Sequence, residues 1–307
     1  MKILVTGGCG FIGANLIRKL LDNGNEVRVL DNLSRGNVRN IEALDIELVE
    51  GDIRDLPTVE KGLKNIEVVI HLAAYGSVVE SVRDPLPNFE NNVIGTLNML
   101  IGARNASIGK FIFSSTGGAI IGNAIPPVNE KSLPRPISPY GSSKLCCEAY
   151  INSFSHSYGL NTTMLRFANV YGPYSDHKIG AVTAFIKAVL SGNPINIYGD
   201  GSASRDLIYV DDLCRGIMLA VEKDLPTATV VHIASGVETS VLGLAGLIME
   251  ISGKKDHEIV FHPSRKGEVE RNFSTYERAE SLLGFRPAVD LRAGLIKTWD
   301  WFKNPYF

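Results

Sequence analysis

The chain predicts an α/β fold: a doubly wound, parallel (Rossmann) sheet with a second, smaller α/β substrate domain. Three features carry that expectation. Short apolar runs alternate with stretches of helical period through the first half, a glycine-rich turn joins the first run to the first helix, and the texture changes after residue 168. Strands that alternate with helices imply right-handed parallel crossovers.

In order, KILVT (2–6) is the first strand, and FIGANLIRKLLDNG (11–24) repeats its apolar residues Ile12, Leu16, Ile17, Leu20 and Leu21 at helical spacing. EVRVLD (26–31), IELVEGD (46–52) and IEVVIHLAA (66–74) are the next three strands. NFENNVIGTLNMLIGARNAS (88–107) predicts one long helix, KFIFSS (110–115) a fifth strand and FIFSSTGGAIIG (111–122) a strand running out into a loop. YGSSKLCCEAYINSFSHSYG (140–159) is another helix, ended by Gly159, and NTTMLRF (161–167) a sixth strand. Beyond it, AVTAFIKAVLSG is a helix, INIYGDGSASRDLIYVDDL mixes short strands with turns, and VVHIAS (230–235) returns as a sheet strand. Helices close the chain around 240–252, 276–283 and 290–303, with Trp299 and Trp301 read as packing residues.

At about 150 residues per domain, 307 residues make two. The expected division is discontinuous: 1–168 plus 209–235 bind the dinucleotide, and 169–208 plus 236–307 bind the substrate.

Charge narrows the partners. With 31 Lys+Arg against 33 Asp+Glu the net charge is −2, which excludes a nucleic-acid binder that must neutralise phosphates with a basic surface. An anionic ligand must then be met by local cations and backbone amides. No stretch reaches the apolar length of a membrane helix, and the glycine motif begins too early for a leader peptide ahead of it, so a cytoplasmic protein is expected. Cys9, Cys146, Cys147 and Cys214 show no CxxC pairing and no His at ligand spacing, so no metal is expected. Cys146 and Cys147 read as buried small hydrophobes.

The first strand runs into TGGCGFIG (6–13) and then a helix. This context gives each glycine a purpose: Gly7 for the tight turn, Gly10 for approach to a pyrophosphate, Gly13 for close helix–strand packing. The helix N-terminus offers N–H groups and a positive dipole to phosphates. Asp31, at the end of the second strand, would accept ribose hydroxyls and repel a 2′-phosphate, favouring NAD, although Arg35 nearby could accommodate one.

Tyr140 and Lys144 stand four apart in SPYGSSK, on one helix face. A free phenol titrates near 10; a lysine ammonium and an oxidised nicotinamide would pull it towards 7, about 4 kcal/mol of differential interaction. Ser114, Ser115 and Thr116 offer hydroxyls at the end of the fifth strand, where doubly wound sheets place ligands.

These motifs resemble the extended short-chain dehydrogenase/reductases, and within them the NAD-dependent nucleotide-sugar epimerases. TGGCGFIG, DNLSRG, GDIRD, HLAA, NVIGT, SSTGG, YGSSK, RFANVYGP, GDGSASRDLIYVDD and RKGE follow that family's pattern over nearly the whole chain. The resemblance implies an NAD site of Gly7, Gly10, Phe11, Ile12, Gly13, Asp31, Asn32, Asp52, Ile53, Leu72, Ala73, Asn92, Tyr140 and Lys144. It implies that Thr116 is the catalytic hydroxyl beside Tyr140 and Lys144, that Asn169 touches a UDP-sugar, that Arg205 and Arg265 meet its diphosphate, and that Glu268 holds the uridine ribose. A homodimer paired through the helices 88–107 and 140–159 is expected by the same analogy.

Related dehydratases and decarboxylases carry a carboxylate just after the catalytic hydroxyl; here Gly117, Gly118 and Ala119 follow. Reductase–epimerases use a Cys and His pair, and SSTGG holds no Cys; His177 reads as solvated. The remaining set suits 4-epimerisation of a UDP-sugar. Asn272 stands where epimerases restricted to plain hexoses resemble one another in a bulky Tyr, so UDP-glucose/galactose and the N-acetylhexosamine pair both stay open, with a uronic acid, dehydratase or reductase reading behind them. Ile121 replaces the family's usual Tyr. The alternative of another class, a dinucleotide-binding regulatory protein, is opposed by the presence of Tyr140, Lys144 and Thr116.

Overall fold

A computed structural model describes residues 1–265 and 269–304. Its strands are β1 (Lys2–Thr6), β2 (Glu26–Asp31), β3 (Glu47–Glu50), β4 (Val68–His71), β5 (Lys110–Thr116), β6 (Thr162–Phe167), β7 (Asn169–Tyr171), β8 (Ile195–Tyr198), β9 (Ser204–Tyr209), β10 (Thr229–Ile233), β11 (Glu238–Ser240) and β12 (Ile259–His262). Seven of them form one parallel sheet in the order β10-β6-β5-β4-β1-β2-β3. The order reverses at β1 and β4, so a crevice opens outside the carboxyl ends of these strands. Sheets β11-β9-β7 and β12-β8 stand beside it.

The strands are buried on both faces and alternate their side chains between two cores. Ile3, Val5, Val27 and Val29 face one cluster, shared with the helices Phe11–Asp22 and Val210–Glu222; Leu4, Leu30, Val69 and Phe111 face the other. The first cluster continues without a break into Ile195, Ile197, Leu244 and Trp299, so the smaller sheets pack on the same core as β1. Trp299 is buried and Trp301 packs edge-on to Phe302 and against Tyr174, as packing residues do.

Four local expectations change. The long helix starts earlier, at Pro85, and runs to Asn105 through a π-helical stretch, Glu90–Ile94, whose wider winding no apolar period announces. After Thr116 the chain makes a short helix, Gly117–Ile121, in place of a loop. The YVDD segment opens the helix Val210–Glu222, because Asp211 and Asp212 favour a helix N-terminus. Cys147 is buried, but Cys146 is only half-buried, packed at the edge of the second cluster.

Two buried carboxylates fasten the later elements. Asp206 on β9 accepts the N–H and hydroxyl of Ser235 (2.9 and 2.7 Å) and the N–H groups of Gly236 (3.1 Å) and Ser274 (3.2 Å). Asp212 accepts the N–H groups of Ala288 and Val289 at 2.9 and 2.8 Å. Neither role has a sequence period behind it. Each satisfies backbone donors that burial would otherwise leave unpaired.

Candidate active site

The glycine turn is built as its spacing requires. Gly7 has φ +69°, and a Cβ there would lie 2.9 Å from Ala73 Cα; at Gly13 it would meet Gly7 O at 2.5 Å. The helix Phe11–Asp22 begins after Gly10, with no side chain capping its first turn and no acidic residue in it. Its leading N–H groups are therefore left to an anionic ligand, and these residues fit a dinucleotide pyrophosphate. Beside the turn, Asp31 accepts the N–H groups of Cys9 (Oδ2, 2.9 Å) and Leu33 (Oδ1, 2.9 Å). Burial raises its carboxyl above the usual range, against the pull of those two bonds. Arg35 is ion-paired to Glu80 at 2.9 Å and lies over the Tyr75 ring at 4.9 Å. A 2′-phosphate would have to break that pair, so the geometry agrees with NAD.

A cavity of about 790 Å³ runs from this turn across the carboxyl ends of the sheet to the smaller sheets. Of the residues expected at the cofactor, Gly7, Gly10, Phe11, Ile12, Gly13, Asp31, Asn32, Ile53, Leu72, Ala73, Tyr140 and Lys144 line it, as do Thr116, Asn169, Arg205 and Arg265. Two do not. Asp52 turns to Arg54 (2.8 Å) and accepts from Asn32 (2.9 Å), and the guanidinium holds its carboxyl down at about 2. Asn92 bonds the backbone of Tyr75 on both sides (2.8 and 3.2 Å) and the hydroxyl of Ser143 (2.9 Å), fixing a cavity wall from behind; its neighbour Asn91 is the one that lines the cavity. Glu268 lies outside the described residues.

The catalytic helix Pro139–Tyr158 starts at Ser138, whose hydroxyl accepts the Gly141 N–H, with Pro139 in its first turn. Its Tyr140 shares a hydrogen bond with Thr116, which lowers the phenol's pKa, but desolvation outweighs that bond and pushes it up to about 12. Lys144 does not act on the phenol directly. Its ammonium donates to Ser114 O at 2.7 Å and sits 4.5 Å from the Phe113 ring centroid; burial lowers it to about 8. The expected lowering of Tyr140 by Lys144 is thus absent from the chain alone. From about 12, ionisation near neutrality asks for about 7 kcal/mol of differential interaction, which falls to the cofactor's positive ring.

Sequence reasoning missed several wall residues, among them Lys178, Tyr198 and Thr239. Arg265 stacks on Tyr198, 3.5 Å from the ring centroid, and Arg205 donates to Ser204 O at 2.8 Å. His177 is exposed but lines the cavity, so it is a rim residue and not simply a solvated one. Asn272 is buried against the turn after Thr116: a Cβ on Gly118 would lie 2.9 Å from its Oδ1, and its Nδ2 has no hydrogen-bond partner among the described residues. Ile121 packs with Ile120 and Val128, away from the cavity. No His/Cys/Asp/Glu cluster able to hold a metal occurs among the described residues, and no helix among them is long and apolar enough to cross a membrane.

A parallel sheet with a dinucleotide turn and a Tyr–Lys–Thr group at its carboxyl edge defines a nicotinamide-dependent enzyme of the extended short-chain dehydrogenase/reductase class. Residues 3–234 match the model of the NAD dependent epimerase/dehydratase family, and the chain belongs to that family. A putative UDP-glucose 4-epimerase of Methanocaldococcus jannaschii is 40% identical, covering 98% of each chain. The UDP-glucose 4-epimerase of Thermotoga maritima, solved with UDP-glucose, is 43% identical with a TM-score of 0.94 over 99% of both chains. A UDP-N-acetylglucosamine 4-epimerase of Methanobrevibacter ruminantium, solved with UDP-N-acetylmuramic acid, is 34% identical with a TM-score of 0.91 over 98% and 97%.

One outcome follows from the phenol's environment. In difference spectra between the wild type and Tyr140→Phe, without cofactor, phenolate absorbance should rise only as the pH nears 12. Adding NAD⁺ should move that rise towards neutral pH.

Proposed function

We propose that the protein interconverts the two epimers at carbon 4 of a UDP-sugar. One observation carries the reading: Thr116 stands beside Tyr140 in the cavity, where its hydroxyl lowers the phenol's pKa, and only Gly117, Gly118 and Ala119 follow it. Among the described lining residues the carboxylates are Asp31 and Glu80, both by the glycine turn, so none of them offers a carboxylate at the sugar end for elimination at a neighbouring carbon. His177 stands at the rim.

When bound, NAD supplies a reversible hydride acceptor. Tyr140, as phenolate, takes the proton of the 4-hydroxyl while carbon 4 is oxidised, and Thr116 bonds the same oxygen and orients it. The 4-keto sugar turns over, hydride returns to its other face, and Tyr140 gives the proton back. Protons and hydride balance over the cycle, and no outside reductant is consumed. Lys144 holds the helix on β5 through Ser114 O, one turn from the phenol. Gly10 and its helix N-terminus would carry the cofactor pyrophosphate, and Arg205 with Arg265 the substrate diphosphate.

The N-acetylhexosamine pair fits the sugar pocket as well as the plain hexoses do. Asn272 presents an unpartnered, buried amide donor against Gly118 where a bulkier ring would stand, and an acetamido oxygen would satisfy it. The similarity to an epimerase of UDP-N-acetylglucosamine supports the same reading. We further propose a homodimer. Leu86, Phe89 and Ile94 are exposed along one helical stretch, with Tyr150 exposed on the helix packed beside it, an apolar face suited to a second copy of itself. Four cysteines without a disulfide suit a reducing compartment, and we place the enzyme in the cytoplasm.

Proton NMR of UDP-glucose and UDP-N-acetylglucosamine incubated with the enzyme should show the 4-epimer of at least one; no turnover of any UDP-sugar would sink the proposal. Tyr140→Phe should lower kcat about a thousandfold. In Asn272→Tyr the ratio of N-acetylhexosamine to plain hexose turnover should fall about 100-fold, and an unchanged ratio would remove Asn272 from substrate choice. Sedimentation should report a dimer that Phe89→Glu converts to a monomer; a wild-type monomer would refute the pairing.

A further inference from the structure

The catalytic helix meets β5 through three side chains at successive turns of one face, residues 140, 144 and 148. Tyr140 lies beside the Thr116 hydroxyl, which lowers its pKa, Lys144 donates to Ser114 O at 2.7 Å, and Glu148 Oε1 accepts from the Ser115 hydroxyl at 2.6 Å. Three consecutive strand residues are thus each gripped by the helix that carries the proposed base. The last grip is charged. Glu148 also takes both Arg166 donors, Nε at 2.9 Å and Nη2 at 2.7 Å, and the two side chains are 7% and 5% exposed.

Burying such a pair gains little net stability over an apolar replacement, because desolvating two charges offsets most of their attraction. Its placement gives it another use. Ser115, Arg166 and His232 are register neighbours on β5, β6 and β10, so one row crosses three strands beneath the catalytic turn. Burial and the Arg166 charge hold the His232 imidazole neutral. That ring forms the floor under Gly117, where a Cβ would lie 3.5 Å from its Cε1. The row and the helix therefore fix the residues on both sides of Thr116, Ser115 by a hydrogen bond and Gly117 by contact.

We propose that Glu148, clamped by Arg166, is a positioning residue that sets the Thr116–Tyr140 geometry through Ser115. Glu148 does not line the cavity, so it has no route to the substrate other than these side chains. Its effect should fall on turnover and not on ground-state binding.

The inference rests on the epimerase reading, and the experiment separates the two. Wild type, Glu148→Asp, Ser115→Ala and their double variant are compared for kcat, KM and thermal midpoint with whichever UDP-sugar the wild type epimerises. Glu148→Asp keeps the charge opposite Arg166 but withdraws the carboxylate from Ser115. Each single variant should lose about tenfold in kcat with KM within about twofold, and the double variant no more than either. Ser115→Thr should restore most of the loss. Wild-type kcat in folded Glu148→Asp, or kcat losses that multiply in the double variant, would overturn the proposal; should Glu148→Asp fail to fold, wild-type kcat in Ser115→Ala would do so alone. An inactive wild type would overturn the epimerase reading instead.

Discussion

Beside the cavity one buried carboxylate ties the small sheet to the large one. Asp206 sits on β9 of the small sheet, yet its four donors come from the residues just past β10 of the large sheet and from the segment at Ser274. Burial raises its carboxyl above the usual range, so the charge is retained there only by those bonds. Through them Arg205, one residue earlier, and Asn272, two residues before Ser274, are held opposite the carboxyl ends of β1 and β5. Three of the four donors in that tie are backbone N–H groups.

That rigid frame bears on how the phenol can work. Tyr140 alone is a very weak acid in this setting, near 12, and Lys144 is spent on a carbonyl of β5. A base held neutral until a positive cofactor lies beside it does not take protons from water or from a bound sugar prematurely. Burial, which opposes ionisation, also strengthens every charge brought into the cavity. The same low polarity that disables the free phenol makes the cofactor an effective activator.

Much of this was legible in the sequence because it is local. Strand alternation, the glycine turn, the Tyr–Lys spacing and the strand hydroxyls each depend on neighbours within one or two turns, and all fall where expected. What was hidden depends on contacts far apart in the chain. Glu148 and Arg166 read as ordinary charges until β5 and β6 lie side by side, and Asn272 gains its meaning only by touching Gly118. Asp52 and Asn92 were singled out from the motifs around them, but their bonds to Arg54 and to the Tyr75 backbone could not be read from the chain.

Asn91, which lines the cavity, and Asn92, which does not, both lie in the π-helical stretch at Glu90–Ile94. One extra residue in a helix advances everything after it by about 100°. The rod from Pro85 to Asn105 thus keeps a single axis but carries two faces out of phase. Its first half turns Leu86 and Phe89 outward, while its second half turns Met99, Leu100 and Ala103 into the core. Without that offset a straight helix would have to give up either its outer apolar face or its inner one. The local unwinding lets one element serve as a surface and as a core wall, with the cavity touched at the point where the phase changes.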